Sequence, residues 1–331
     1  MRGELERVVL GSTTAWTTPV GFGGASLGNL YRETTDAEAA GAVSAAWEGG
    51  IRSFDTAPHY GLGLSERRIG EALACYPREE FQLSTKVGRL LVPNPTPRGR
   101  DEGFAVPDTL TREWDFSLDG VRRSLEGSLE RLGVDRVDAV FVHDPDAAYP
   151  GAAREGLEAL SVLKAEGLVA AVGVGTNQSA GLAALLGDGL IDVVMLAGRY
   201  TLLEQGALDD VLEPASAAGA SVIAVAVYNS GLLAAPRPPA DATYDYLPAP
   251  AELLGRANLL ADVCERHGVS LPEAALAFPL LHRAVAGVAL GMRSAEQVRA
   301  NLSRFAADIP GALWSDLVEH GLVDPRTVGL A

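Results

Sequence analysis

Along most of the chain, short apolar runs alternate with longer stretches in which apolar side chains recur every three or four residues. The runs at 20–25, 51–54, 81–85, 137–142, 169–174, 191–196, 221–227 and 285–290 have the length and β-branched content of strands. The stretches at 37–48, 65–73, 118–132, 154–166, 251–267 and 295–305 carry their apolar positions at helical spacing. Strands separated by helices imply a parallel sheet, because a parallel pair needs a long crossover between its members. Eight such strands predict a closed (β/α)8 TIM barrel, although periodicity itself does not encode closure. All 331 residues fit one domain, since α/β barrels routinely exceed the average domain length.

Glycines at 49–50, 133, 167, 219 and 268 stand where helices should stop, each offering a left-handed residue before the next strand. Two segments break the rhythm, 88–115 and 228–250, both long and rich in proline or glycine. Each follows a strand, which places it among the long loops at the carboxyl face where barrels assemble their sites.

Charge narrows the partners: 27 basic against 43 acidic residues give a net charge of −16, which disfavours nucleic acid and anionic membrane surfaces. An anionic cofactor would have to be held by a local group of donors. Residues 1–20 lack a continuous apolar segment, so neither a signal peptide nor a membrane anchor is expected, and the reading is cytoplasmic. Cys75 and Cys264 are far apart and outside any CxxC spacing, which predicts ordinary thiols and no zinc site. No HExxH spacing occurs and the remaining histidines are scattered, so no metal site is expected. The oligomeric state is not readable from the sequence.

Candidate chemistry gathers at three successive strand ends. Asp55 closes the second strand and opens Asp55-Thr56-Ala57-Pro58-His59-Tyr60-Gly61, Lys86 closes the third strand, and His143 closes the fourth. Tyrosine is a poor base near neutrality, but an adjacent ammonium favours the phenolate. Lys86 can play that part, with Asp55 orienting it and His143 hydrogen-bonding the reacting oxygen. Such a group suits proton transfer coupled to hydride transfer. His59 reads as a loop residue. After the eighth strand, Gly291-Met292-Arg293-Ser294 opens a helix whose positive end and Arg293 can attract a phosphate. None of the glycine-rich pieces completes GxGxxG before a helix, which argues against a Rossmann site.

Together, the segment 54–66, the strand ending at Lys86, the run from 129 to His143 and the segment 291–301 closely resemble the aldo-keto reductases. That resemblance implies a closed barrel with an N-terminal β-hairpin beneath it, catalysis by Asp55, Tyr60, Lys86 and His143, and NADP or NAD as cofactor. By the same resemblance Thr176 and Asn177 would meet the carboxamide. Ser230, Gly231 and Leu233 would approach the pyrophosphate, Gly291, Arg293, Gln297 and Asn301 would line the adenosine side, and Tyr228 would also bind the cofactor. The family often has other residues where Ala197 and Ala300 stand here, which leaves the choice between NAD and NADP open.

The segments 86–93, 119–121, 143–146, 197–203 and 229–231 are similar to a bacterial sugar-oxidising branch of that family, which has a pyridoxal-oxidising relative. The implied reaction is NAD(P)-dependent oxidation of an aldose hemiacetal, such as that of L-fucose or D-arabinose, to its lactone, with Tyr60 as acid/base. The alternatives are a general NADPH-dependent aldehyde or ketone reductase, pyridoxal oxidation, or a nucleotide-binding regulatory subunit. Tyr31, Trp114, Trp16 and the loop from Tyr244 to Tyr246 are the aromatics expected to face a sugar.

Overall fold

In a computed structural model, described over residues 5–245 and 247–329, eight parallel strands close into a barrel. They are β1 (Val20–Gly23), β2 (Ser53–Asp55), β3 (Gln82–Val87), β4 (Ala139–His143), β5 (Ala171–Thr176), β6 (Val193–Ala197), β7 (Ser221–Val225) and β8 (Val285–Gly291). Each pairs with its sequence neighbours, and β8 closes on β1. Most strands begin one or two residues later than the apolar run predicts, and several extend further into polar residues. Ile51 shows why: its amide bonds the Ala46 carbonyl at 2.9 Å, ending a helix, while its side chain is fully buried. Apolar residues in these turns anchor the helix to the barrel and lie before the ladder begins. At the other end the ladder includes the polar strand ends, pairing Asp55 with Ser84, Lys86 with Phe141 and His143 with Gly175. The polar strand ends thus sit on hydrogen-bonded backbone.

The predicted helices form as α1 (Asp36–Glu48), α2 (Leu64–Leu73), α3 (Leu118–Leu132), α4 (Ala152–Ala165), α7 (Ala251–Arg266) and α9 (Ala295–Phe305). A capping box fixes the start of α1: the Glu38 amide bonds the Thr35 hydroxyl, and the Thr35 amide bonds the Glu38 carboxylate. Gly133 ends α3 at φ 66, a left-handed residue where the pattern called for one. Four shorter helices had no predicted counterpart: α5 (Leu182–Gly187), α6 (Glu213–Ala218), α8 (Leu271–Ala277) and α10 (Gly311–Glu319). Each has nine residues or fewer, too short for a 3.6-residue period to repeat convincingly. Among the described residues, no helix is long and apolar enough to cross a membrane.

The barrel floor is closed by the N-terminal hairpin, Val8–Val9 against Trp16–Thr17. Leu10 and Ala15 are buried against the inward-facing Phe141, Met195 and Ile223. The Gly11 amide donates to the Ser221 hydroxyl at 2.8 Å, and Trp16 stays at this end with Arg7 over its ring. That position rules out a sugar-facing role for Trp16. At the opposite face, the segment 88–115 is not irregular as expected: Arg89–Pro93 pairs with Leu110–Trp114 in an antiparallel ribbon. The tip between them returns to the barrel through a bridge from Phe104 to Leu30.

Interior space is tight where β5 passes β6. A Cβ on Gly173 would stand 1.7 Å from the Val193 carbonyl oxygen, a backbone atom that cannot rotate away. Gly173→Ala should therefore disrupt the β5–β6 ladder and lower the thermal midpoint by several degrees or abolish soluble expression. A thermal melt matching the parent's would show that the barrel absorbs the extra carbon.

Candidate active site

Lys86 and Asp55 meet across adjacent strands, with Nζ 2.6 Å from Oδ2, and both are buried. Lys86 also donates to the Thr56 carbonyl at 3.0 Å, and the Ser84 hydroxyl donates to Asp55 Oδ1 at 2.8 Å. Each group is thus desolvated and partnered, the condition under which a buried charge persists. Burial favours the neutral amine, but Asp55 and then Tyr60 outweigh it and hold the Lys86 ammonium above its ordinary pKa.

Tyr60 lies on the turn between β2 and α2, with the Lys86 nitrogen 4.7 Å from its ring centroid. Two glycines let the backbone lie there. Gly61 takes φ 66, and a Cβ on it would come within 2.2 Å of the Gly28 carbonyl oxygen. A Cβ on Gly28 would reach the Tyr60 carbonyl carbon at 2.5 Å. The start of α2 is tied down by Ser65, whose hydroxyl donates to the Gly24 carbonyl and accepts from Thr56. Glu66, fully buried, accepts from Thr85 on β3 and from Arg131 on α3.

The expected lowering of the Tyr60 pKa by Lys86 is only part of its electrostatics. Burial raises it, Lys86 pulls it down, Asp55 pushes it up again, and the net direction is upward. His143 faces the Tyr60 ring edge-on at 5.6 Å. Burial first, then the charges of Lys86 and Arg89, hold its imidazole well below the ordinary value, so it is neutral near pH 7. Its buried Nδ1 has no hydrogen-bond partner.

Tyr60, Lys86 and His143 line one cavity of about 430 Å³ with Tyr31, Thr176 and Asn177. Met195, Ala197 and Val225 supply apolar wall. Tyr31, at φ 64 and 69% exposed, stands at the mouth. Trp114 does not line the cavity: it stacks on Phe116 and carries the Arg89 guanidinium 4.6 Å above its ring. Tyr244 ties its loop to Arg199 and Glu204, and Tyr246 lies outside the described residues. Among the described residues no group of three or more metal-binding side chains occurs.

Three lining residues had no assigned role. His59 presents its ring edge-on to Phe104 and to His143, at 5.2 and 5.5 Å. Arg89 pairs with Asp144 at 2.7 Å, and Asp144 Oδ2 lies 3.5 Å from His143 Nε2. Adjacency to Tyr60 and His143 was the available clue for His59 and Asp144. Arg89 lay within the segment 86–93 that resembles the sugar-oxidising branch, but its reach into the cavity through the ribbon had no local sign.

On the far side, Thr176 donates to Asp146 at 2.8 Å and accepts from the Gln178 amide. After β7, Asn229, Ser230 and Gly231 all take positive φ, at 44, 56 and 94, with Ser230 and Gly231 exposed. Leu233 instead anchors this turn from beneath, fully buried, with its amide on the Tyr228 carbonyl. Gly291 ends β8, and Ser294 caps α9 by accepting from the Gln297 amide. Asn301 accepts from the Tyr228 hydroxyl and from Arg304. Arg293 departs from expectation: its guanidinium is buried and donates to the Leu30 carbonyl, the Arg32 carbonyl and the Thr34 hydroxyl, at 2.6, 3.0 and 2.5 Å. It clamps the loop bearing Tyr31 and does not present itself to solvent as a phosphate-seeking cation.

Burial also holds His59 down, to a pKa of about 2 with Arg89 adding to the effect. In the unfolded chain both His59 and His143 take up protons below about pH 6.5, while the folded chain binds none there, so stability falls as pH falls through that value. Both therefore add to the loss of stability on the acid side of that pH. The denaturant midpoint should drop between pH 7.5 and 5.5, and by less in His59→Gln. Identical drops in parent and variant would mean that His59 is protonated in the folded protein.

Comparison with known proteins identifies the family. The family model for the Aldo/keto reductase family matches residues 19–321. The chain is 44% identical to a D-threo-aldose 1-dehydrogenase from Pseudomonas sp, covering 92% of this chain and 94% of that protein. It is 37% identical to a pyridoxal 4-dehydrogenase from Microbacterium luteolum, covering 96% and 98%. Among solved structures, the holo form of an aldo-keto reductase from Bacillus halodurans superposes with a TM-score of 0.77 at 25% identity, covering 97% of each chain. The chain therefore belongs to the aldo/keto reductase family and is an NAD(P)-dependent oxidoreductase.

Proposed function

We propose that the protein oxidises the cyclic hemiacetal of a neutral aldose, such as L-fucose or D-arabinose, to its lactone. The observation that carries this reading is the convergence of the Asp55–Lys86 pair, Tyr60 and a neutral His143 on one cavity. Similarity to the D-threo-aldose 1-dehydrogenase supports the sugar as substrate. Similarity to the pyridoxal 4-dehydrogenase favours pyridoxal as the second reading, since its cyclic form is also a hemiacetal.

NAD or NADP, when bound, would supply the acceptor for the hydride that leaves the anomeric carbon. Tyr60 takes the proton of the anomeric hydroxyl as the carbonyl of the lactone forms. Neutral His143 donates a hydrogen bond to that oxygen and holds it against Tyr60. Lys86, kept charged by Asp55, opposes the rise that burial imposes on the phenol. Oxidation needs the phenolate, so turnover in this direction should increase toward alkaline pH.

For the cofactor, we place Thr176 and Asn177 at the carboxamide and the exposed turn of Ser230 and Gly231 at the pyrophosphate. The amides of Asn229 and Gly231 already donate to the Ala226 and Tyr228 carbonyls, so the exposed Ser230 would supply this turn's donor to the pyrophosphate. Gly291, Gln297, Asn301 and Tyr228 would line the adenosine side near the capped start of α9, where the helix dipole favours a phosphate. Arg293 would hold the wall of this groove through the 30–34 loop.

An absorbance assay at 340 nm with both cofactors against L-fucose, D-arabinose, L-galactose and pyridoxal tests the reading. Oxidation of at least one aldose is expected. Ready reduction of simple aldehydes with no oxidation of any sugar or pyridoxal would reject it. Tyr60→Phe should lower turnover by about two or more orders of magnitude while cofactor affinity stays near the parent's. Near-parental turnover in that variant would remove Tyr60 from the mechanism. Lys86→Met should reduce turnover and move the alkaline rise to still higher pH. Arg293→Ala should weaken NAD and NADP by similar factors, because it frees the loop. A loss confined to NADP would instead put Arg293 on the 2′-phosphate.

A further inference from the structure

Resting on the reading above, we infer that Arg89 and Asp144 form a hydroxyl-reading pair that makes the cavity select a neutral polyhydroxylated substrate over plain aldehydes and over anionic sugars. The pair joins two elements of different origin. Arg89 begins the ribbon above the barrel, whereas Asp144 follows His143 directly. Their 2.7 Å contact lines the same cavity as Tyr60 and Lys86.

Stability does not explain the pair. A shielded ion pair is a poor source of folding free energy, since desolvation offsets its Coulombic gain. Burial acts on both partners, lowering the pKa of Arg89 and raising that of Asp144. Asp144 also takes φ 43, a left-handed backbone that a non-glycine residue adopts at some energetic expense. Groups held in this way at a cavity wall are typical of preorganised binding sites. Arg89 Nη1 meets only the His59 ring nitrogens, at 3.5 Å, and so keeps donor capacity at the cavity wall. Trp114, stacked between Arg89 and Phe116, fixes the guanidinium in place.

The charge pattern then specifies the ligand. Lys86 is paired with Asp55, Arg89 with Asp144, and neighbouring Arg112 with Asp101. His59 and His143 are neutral. Each of these cations thus already has a carboxylate, and none is in surplus to hold a substrate carboxylate or phosphate. A carboxylate beside a guanidinium is instead suited to neighbouring hydroxyls, the carboxylate accepting from one and the guanidinium donating to another. Asp144 Oδ2 lies 3.5 Å from His143 Nε2. A hydroxyl next to the reacting carbon falls within its reach.

The test uses the intact enzyme with three substrates: an aldose it oxidises, the 2-deoxy form of that aldose and its 3-phosphate, which keeps the same ring. In the parent, removing the 2-hydroxyl should lower kcat/KM by about 10–100-fold, the scale of a hydrogen bond to a charged group. The 3-phosphate should be at least about tenfold poorer than the free sugar. In Asp144→Asn and in Arg89→Met, the deoxy penalty should shrink to below about threefold, chiefly through KM. Arg89→Lys should restore part of it if charge contributes, but not the full value, because the planar fork is lost. An unchanged deoxy penalty in both variants would overturn the assignment, as would a parent indifferent to the 2-hydroxyl or one that prefers the phosphate. The parent series decides even if a variant fails to fold. A parent that oxidises no aldose at all would instead refute the proposed reaction, a result distinguishable from loss of hydroxyl reading alone.

Discussion

The buried Asp55–Lys86 ion pair is the constraint around which the carboxyl face is organised. Neither charge is stable alone in that position, since an unpartnered ion away from water is strongly disfavoured. Their contact requires β2 and β3 to keep the register that pairs Asp55 with Ser84. Gly175 on β5 flanks the lysine stem, where even a Cβ would make only ordinary contact, 3.6 Å from the Lys86 Cε. The backbone carbonyl of Thr56 takes a further ammonium proton, which draws the β2–α2 turn toward β3. Because Tyr60 rides on that turn, one electrostatic requirement positions both the charge and the phenol it acts upon.

A second set of buried arginines does for the rim what Lys86 does for the interior. Arg68 on α2 donates to the Leu27 carbonyl, Asn29 and the Thr34 carbonyl, and Arg293 holds Leu30, Arg32 and Thr34 from the other side. The loop between β1 and α1 is therefore fixed by side-chain donors to its own carbonyls, an alternative to strand pairing for backbone groups that must be satisfied. Tyr31 takes its left-handed conformation within this clamp, and Phe104 of the ribbon docks on the adjacent Leu30. The cavity mouth joins three separate parts of the chain: the β1–α1 loop, the ribbon and the turn carrying Tyr60.

What the sequence made legible follows from the range of each interaction. Strand and helix periodicity is local, so the eight strands and the six longest helices were readable, as were residues at strand ends such as Lys86 and His143. The short helices α5, α6, α8 and α10 were not, because they rely on burial against the barrel more than on their own pattern. The ribbon was missed for a related reason: Arg89 to Pro93 pairs with residues about twenty positions away, and its composition, with nearby prolines, resembles a loop. Arg293 illustrates a different limit. Its place before a helix start suggested an exposed cation, but its actual partners lie some 260 residues earlier in the chain.

The strongly acidic surface and the cation-lined site are compatible because the two act over different distances. At physiological ionic strength the field of exposed carboxylates is screened within about 8 Å. Lys86, buried beneath Tyr60, is shielded from solvent and answers chiefly to Asp55 and the phenol. A net charge of −16 thus acts on the approach of charged molecules to the surface without dictating the chemistry inside. It also bears on how an anionic cofactor is retained: attraction must come from oriented amides and helix ends at short range, since the overall field opposes it. The consecutive left-handed residues at 229–231 are held by the turn's own bonds, the Asn229 amide on the Ala226 carbonyl and the Gly231 amide on that of Tyr228, and this strained geometry leaves Ser230 exposed at its tip.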